Sequence, residues 1–282
     1  MVTPNFIVIG QAKCGTTTVC ETLRRHPQVF VTDPKEPHFY SFENPALTRA
    51  WYESLYAGVG SERAIGEGST SYTRPDIYEQ TARNIFHEAP AARLVYLARD
   101  PIARLESDWK MRVHEGRATW NDINRSLDDN PQVVELGKYW RNLSTYRDLF
   151  AEEQLLILCL EDLAASPDQT MRSVYRHLGV DEDLAVAKDP EPVNAADSRR
   201  RDGTLMRLVR RSGLLRAARS LLPDSLAGTL KTRLSTGYRY EANWDPGRLR
   251  ELQAMYRETS RPILDHMGKP SDFWSYESRE DS

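Results

Sequence analysis

Gly10 and Gly15 bracket a short loop that carries Lys13 and Cys14, and three hydroxyls follow at once: Thr16, Thr17 and Thr18. This is the chemistry of an anion cradle. Backbone N–H groups at a helix start point at the ligand, the helix dipole favours negative charge there, and a lysine adds a full positive charge. The glycine spacing is that of the nucleotide loop G-x-x-x-x-G-K-[ST]. Here Thr16 fills the lysine slot and the lysine sits earlier, at Lys13. A triphosphatase is therefore disfavoured. The nearest acidic candidate for holding a magnesium ion, Asp100, is also explained by helix capping.

A second pair of reactive groups is Glu36 and His38, on either side of Pro37. Proline biases the residue before it to an extended conformation, and alternate residues of an extended segment project to one side. Two proton acceptors are thus expected to face one place, close to the loop if the second strand lies beside the first. A third group is Arg99 at the end of an apolar run, followed by Asp100-Pro101. Asp100 suits an N-cap and Pro101 the first helical position. Ser107 then falls just under two turns into the helix. The run Arg199-Arg200-Arg201 reads either as a solvated charge run or as a cover for an anionic ligand.

The elements that must position these groups follow from pattern. Phe6–Ile9 is short, apolar and β-branched, which predicts a buried strand, and a helix is expected from about Thr17 to Arg25. Val29–Val31, Ala64–Gly66, Arg93–Ala98 and Leu155–Leu160 read as further strands. Helices are expected around Leu47–Leu55 and Ile77–Ile85, from Pro101 to about Val113, over Tyr139–Phe150, from Ser166-Pro167 to Gly179, and from Asp245-Pro246 to about Met267. Residues 115–137 read as an irregular loop and 181–204 as a linker. Strands alternating with helices imply an α/β fold with a parallel sheet flanked by helices. One domain over 1–282 is expected, its helical C-terminal portion (about 181–282) packed on the sheet.

The net charge of −3 argues against bulk nucleic-acid binding, and 40% hydrophobic with 28% charged residues describes a globular chain. Three cysteines, Cys14, Cys20 and Cys159, fit neither a disulfide framework nor a zinc site, which leads to a reducing, cytoplasmic location. No apolar run approaches membrane-spanning length, and a first strand at Phe6 leaves no room for a signal peptide.

Lys13-Cys14-Gly15-Thr16-Thr17 resembles the 5′-phosphosulfate loop of sulfotransferases that use 3′-phosphoadenosine 5′-phosphosulfate (PAPS). The segment Leu94–Ser107 resembles their second signature, in which a strand-terminal Arg and a later Ser bind the 3′-phosphate; here these are Arg99 and Ser107. Lys35-Glu36-Pro37-His38-Phe39-Tyr40 is similar to a stretch of the heparan-sulfate-type branch and its bacterial relatives, where the Glu can act as catalytic base. The stretches Gly137–Gly179 and Asp245–Trp274 also resemble that branch. The resemblance implies a P-loop-like sulfotransferase fold, PAPS as co-substrate and no metal. The implied donor site is Lys13, Cys14, Gly15, Thr16, Thr17, Thr18, Arg99 and Ser107, with Lys13, Glu36 and His38 in catalysis. A loop at Ser235–Arg239 stands where that branch has another PAPS loop, so Thr236, Gly237 and Arg239 are candidates, although its first basic residue is missing here. Those glycan enzymes also carry a lysine where this chain has Gly68, which speaks against a polyanionic glycan acceptor.

The expected activity is transfer of a sulfuryl group from PAPS to a hydroxyl of a small-molecule, lipid or carbohydrate acceptor, giving a sulfate ester and adenosine 3′,5′-bisphosphate (PAP). A P-loop kinase or nucleotide hydrolase, and a non-catalytic nucleotide-binding protein, are the alternatives. No nucleic-acid partner is expected.

Overall fold

A computed structural model of the chain describes residues 3–41, 47–118, 122–184 and 241–276, with the backbone alone of 201–202 and 235–236. Five strands form one parallel sheet: β1 (Phe6–Gly10), β2 (Val29–Val31), β3 (Ala64–Gly68), β4 (Arg93–Ala98) and β5 (Leu155–Cys159). Their order is β2-β3-β1-β4-β5. The apolar runs suit this arrangement, because a parallel sheet covered by helices is buried on both faces. All of β1 is buried, and so is β4 beyond Arg93.

The second strand does not lie beside the first. β3 intervenes, pairing Phe6 with Gly66, while β1 pairs on its other side with β4. The chain leaves β1 towards one edge of the sheet and leaves β3 and β4 towards the other. Such a reversal opens a crevice at the carboxyl ends of the strands, here around the end of β1.

Eleven helices are named among the described residues: α1 (Thr16–Leu23), α2 (Arg49–Ser54), α3 (Tyr78–Glu88), α4 (Pro101–His114), α5 (Ile123–Asp128), α6 (Gln132–Glu135), α7 (Tyr139–Asn142), α8 (Ser144–Leu149), α9 (Leu160–Ala165), α10 (Pro167–Leu178) and α11 (Pro246–His266). α4 begins as its sequence requires. The Asp100 carboxylate accepts the N–H groups of Ile102 (2.8 Å) and Ala103 (3.0 Å), with Pro101 next. Asp245 caps α11 in the same way, through Arg248 N–H at 2.8 Å. Ser166 stands before α10 without a side-chain cap, and Gly179 ends that helix at φ 72°.

Two expectations change. The stretch 115–137 holds two short helices, α5 and α6, whose apolar residues Ile123, Leu127 and Val133 are buried. Isolated helices this short are marginal, so tertiary burial forms them and local pattern does not announce them. The helix expected over Tyr139–Phe150 is two, α7 and α8, meeting at Leu143. α11 packs on α4 and α7, and its Tyr256 hydroxyl donates to Val134 O at 2.8 Å. An unexpected two-stranded ladder, β6 (Arg201–Asp202) with β7 (Ser235–Thr236), sets Arg201 opposite Thr236.

Candidate active site

The loop after β1 turns on positions that need special backbone. Gly15 has φ 92°, and a Cβ there would lie 2.7 Å from Leu160 Cδ1. Glycine is therefore required both for conformation and for room. Lys13 is held at φ 71°. Gln11 is buried and pins the loop: its N–H donates to Leu97 O at 2.9 Å, and its side-chain oxygen accepts Ala12 N–H at 2.6 Å. α1 then starts at Thr16 with no side-chain cap and no acidic residue in its first turn. Its leading amides are thereby left for an external anion. Thr16 is buried, while Thr17 and Thr18 are half-buried on the same turn. Cys14 is buried, and burial pushes its thiol up to about 12, so it packs and does not react.

The end of β4 brings the second set to this loop. Arg99 Nη1 lies 3.4 Å from the carbonyl oxygen of Lys13, and the Tyr139 hydroxyl donates to Arg99 O at 2.7 Å. The Lys13 ammonium reaches α4, 3.7 Å from Met111 Sδ. Ser107 is on the same helix and largely buried. Lys13 and Arg99 thus share one wall, which α4 extends to Ser107. Trp109 and Tyr139 are buried in the core.

Glu36 and His38 meet, but not by the expected route. Both have left-handed backbone, φ 65° and 57°, so the segment is not extended. Such conformations cost of order 1–3 kcal/mol each and persist where surroundings over-determine them. Those surroundings are hydroxyls after β3. Glu36 N–H donates to Gly68 O (2.9 Å), and His38 N–H donates to Ser69 Oγ (3.1 Å). His38 Nδ1 lies 2.7 Å from Ser71 Oγ, and its Nε2 is 3.7 Å from Glu36 Oε2. The Glu36 carboxylate accepts Lys35 Nζ and the Thr70 hydroxyl, each at 2.8 Å. Burial pushes its pKa up, but the Lys35 charge and hydrogen bond, Thr70 and His38 outweigh that and hold it below the usual value. Burial lowers His38 against the opposing Glu36 charge, with Lys35 and Arg74 adding to the lowering. Glu36 is therefore a carboxylate and His38 a neutral imidazole at neutral pH. Lys35, Ser69, Thr70 and Ser71 were not singled out from the sequence as site residues. For the three hydroxyls the signal was their run directly after a strand end.

Next to His38 lies a cavity of about 400 Å³, lined by Ala12 of the loop, His38, Thr70, Asp108 and Arg112 of α4 and Gln132 of α6. Gly68 is packed so closely that a Cβ would sit 2.7 Å from Cys20 Sγ, so no lysine is accommodated there. Of the C-terminal candidates, Thr236 is placed only as a backbone position in β7, opposite Arg201, while Gly237, Arg239, Arg199 and Arg200 lie outside the described residues.

An uncapped helix start with a lysine and an arginine, and a carboxylate–imidazole pair, thus gather at the carboxyl ends of the strands where strand order reverses. The family described as sulfotransferase domain matches residues 3–193, and the chain belongs to that family. It is similar to carbohydrate sulfotransferase 15 of Homo sapiens, 24% identical over 250 residues covering 63% of this chain and 44% of that protein. Heparan sulfate glucosamine 3-O-sulfotransferase 3B1 of Mus musculus is 26% identical over 185 residues, covering 63% and 46%. The chain thus spans less than half the length of these curated relatives. A sulfotransferase structure from Alicyclobacillus acidocaldarius superposes with a TM-score of 0.69 at 21% identity, covering 98% of this chain and 100% of that one, which shows the sulfotransferase fold.

Proposed function

We propose that this protein transfers a sulfuryl group from PAPS to the hydroxyl of an acceptor seated in the cavity beside His38. The observation that carries the reading is two groups of residues gathered at the carboxyl ends of the central strands. Lys13, the α1 amides and Arg99 follow β1 and β4; Glu36, whose carboxylate is 3.7 Å from His38, is bonded to Gly68 at the end of β3. The acceptor oxygen forms a bond to sulfur as the bond from sulfur to the 5′-phosphate oxygen breaks. Glu36 takes the hydroxyl proton, and PAP leaves. Lys13 and the loop amides offset charge on the departing phosphate, Thr16, Thr17 and Thr18 hold it, and Arg99 with Ser107 reads the 3′-phosphate. His38 orients the acceptor. Carbohydrate sulfotransferases among the relatives support a hydroxyl acceptor. The unpaired state of Cys14, Cys20 and Cys159 supports the cytoplasm as the proposed location.

The test is transfer of labelled sulfate from PAPS to a panel of hydroxyl acceptors by the wild type, Lys13→Ala and Glu36→Gln, with PAP binding followed by thermal shift in the absence of metal. Stabilisation by PAP with loss of turnover in both variants is expected. Stabilisation by ATP with magnesium but not by PAP would instead identify a kinase or hydrolase. PAP binding without turnover of any acceptor would identify a non-catalytic binder.

A further inference from the structure

The cavity beside His38 continues into a second of about 390 Å³, which shares Pro75, Asp76 and Gln132 with it and runs on to Glu135 and Arg141. Together they make a groove leading away from His38. Its charged lining is closely balanced among the described residues. Arg74, Arg112 and Arg141 supply the cations; Asp76, Asp108, Glu79 and Glu135 supply the anions. Each cation is already held by a carboxylate of the groove itself. Arg74 grips Asp76 through two bonds, Nη2–Oδ2 at 2.6 Å and Nε–Oδ1 at 3.1 Å. Arg112 Nε bonds Asp108 at 2.5 Å, and Arg141 Nη1 bonds Glu135 at 2.5 Å.

An anionic acceptor entering here would sit beside the carboxylates that already hold each arginine. Like charges set against each other cost several kcal/mol. An alkyl chain would cover charged groups without replacing their bonds to water. Sugar hydroxyls meet neither objection, because each both donates and accepts. Paired carboxylates keep lone pairs and paired guanidinium groups keep N–H donors, and Gln132, Thr70 and Ser71 add neutral polar groups along the same wall.

We infer that the groove selects an uncharged, polyhydroxylated acceptor, such as the neutral sugar portion of a glycan or glycoside, and excludes polyanionic glycans. This rests on the sulfotransferase reading and names its substrate class. It contrasts with the heparan sulfate named for one of the relatives.

The experiment measures binding by saturation-transfer NMR, and label transfer, for the PAP- or PAPS-loaded protein. Uncharged cello-, manno- and malto-tetraose are compared with the same sugars oxidised to uronates. At least one neutral sugar is expected to bind and react roughly tenfold or more better than its uronate. Asp76→Asn removes one anion and releases Arg74, and should narrow that ratio while PAP binding stays at the wild-type value. A wild type that prefers uronates overturns the inference. So does a PAP-binding protein that takes up none of the neutral sugars, or an Asp76→Asn protein with an unchanged ratio. Failure of the sulfotransferase reading is distinguishable, since it shows as loss of PAP stabilisation or as absence of label transfer to every acceptor class.

Discussion

Glu67, on β3, is the most completely buried carboxylate among the described residues, and replacing it with glutamine gives a stability change whose size and pH dependence follow from the structure. It is fully inaccessible to solvent. Tyr52 (3.0 Å) and Tyr72 (2.5 Å) donate to one oxygen and Ser69 (2.7 Å) to the other. Burial raises its pKa from 4.5 to about 7, against the pull of those three donors. A carboxyl whose folded pKa lies above its unfolded value binds more protons when folded. Stability therefore falls as pH rises between about 4.5 and 7, and the loss is complete above that window. The difference corresponds to roughly 3 kcal/mol. Glutamine keeps the shape and the oxygen that the tyrosines need but cannot ionise. Urea denaturation of wild type and Glu67→Gln from pH 4.5 to 8.5 isolates this group. The variant should gain on the wild type by roughly 3 kcal/mol across the window, and by about 5 °C or more in Tm. A flat difference curve, or a variant that loses ground as pH rises, would refute the reasoning. The result bears on the site, because Ser69 joins Glu67 to the backbone of His38.

Three further outcomes are expected. With Glu36 proposed to act as a carboxylate, activity should be lost as pH falls through its lowered pKa; Lys35→Met removes the main cause of the lowering and should move the acid limb of kcat/KM to higher pH, read from a pH–rate profile. Arg99→Ala should weaken PAP binding by roughly tenfold or more through loss of a charged phosphate contact, with chemistry at saturating donor less affected, as calorimetry and saturation kinetics would show. Asp100→Ala should cost about 1–2 kcal/mol in denaturant titration, since it uncaps α4 and also leaves Tyr276 N–H without the carboxylate oxygen it meets at 2.9 Å.

Much of the fold was legible because its signals are local. Phe6–Ile9, Val29–Val31 and Arg93–Ala98 are short apolar runs that can only be buried strands in a chain of this kind, and all are strands here. The start of α4 is written in Asp100-Pro101, and the tight loop and helix start after β1 in Gly10, Gly15 and the threonines that follow. These features depend on neighbours in sequence, so the sequence by itself determined them.

Sheet order was decided by tertiary structure alone: β3 rather than the more apolar β2 pairs with β1. The meeting of Glu36 and His38 was anticipated, but through an extended backbone that does not form. Gly68, Ser69, Thr70 and Ser71, more than thirty residues further along the chain, supply the bonds that hold the segment left-handed. The groove beside His38 is the extreme case. Its walls come from the segment after β3, from α4 and from α6, and the pairing of Arg74, Arg112 and Arg141 with carboxylates shows only once these are packed. Local sequence specifies which groups can bind an anion or take a proton; which hydroxyl reaches them depends on contacts between segments that no local pattern encodes.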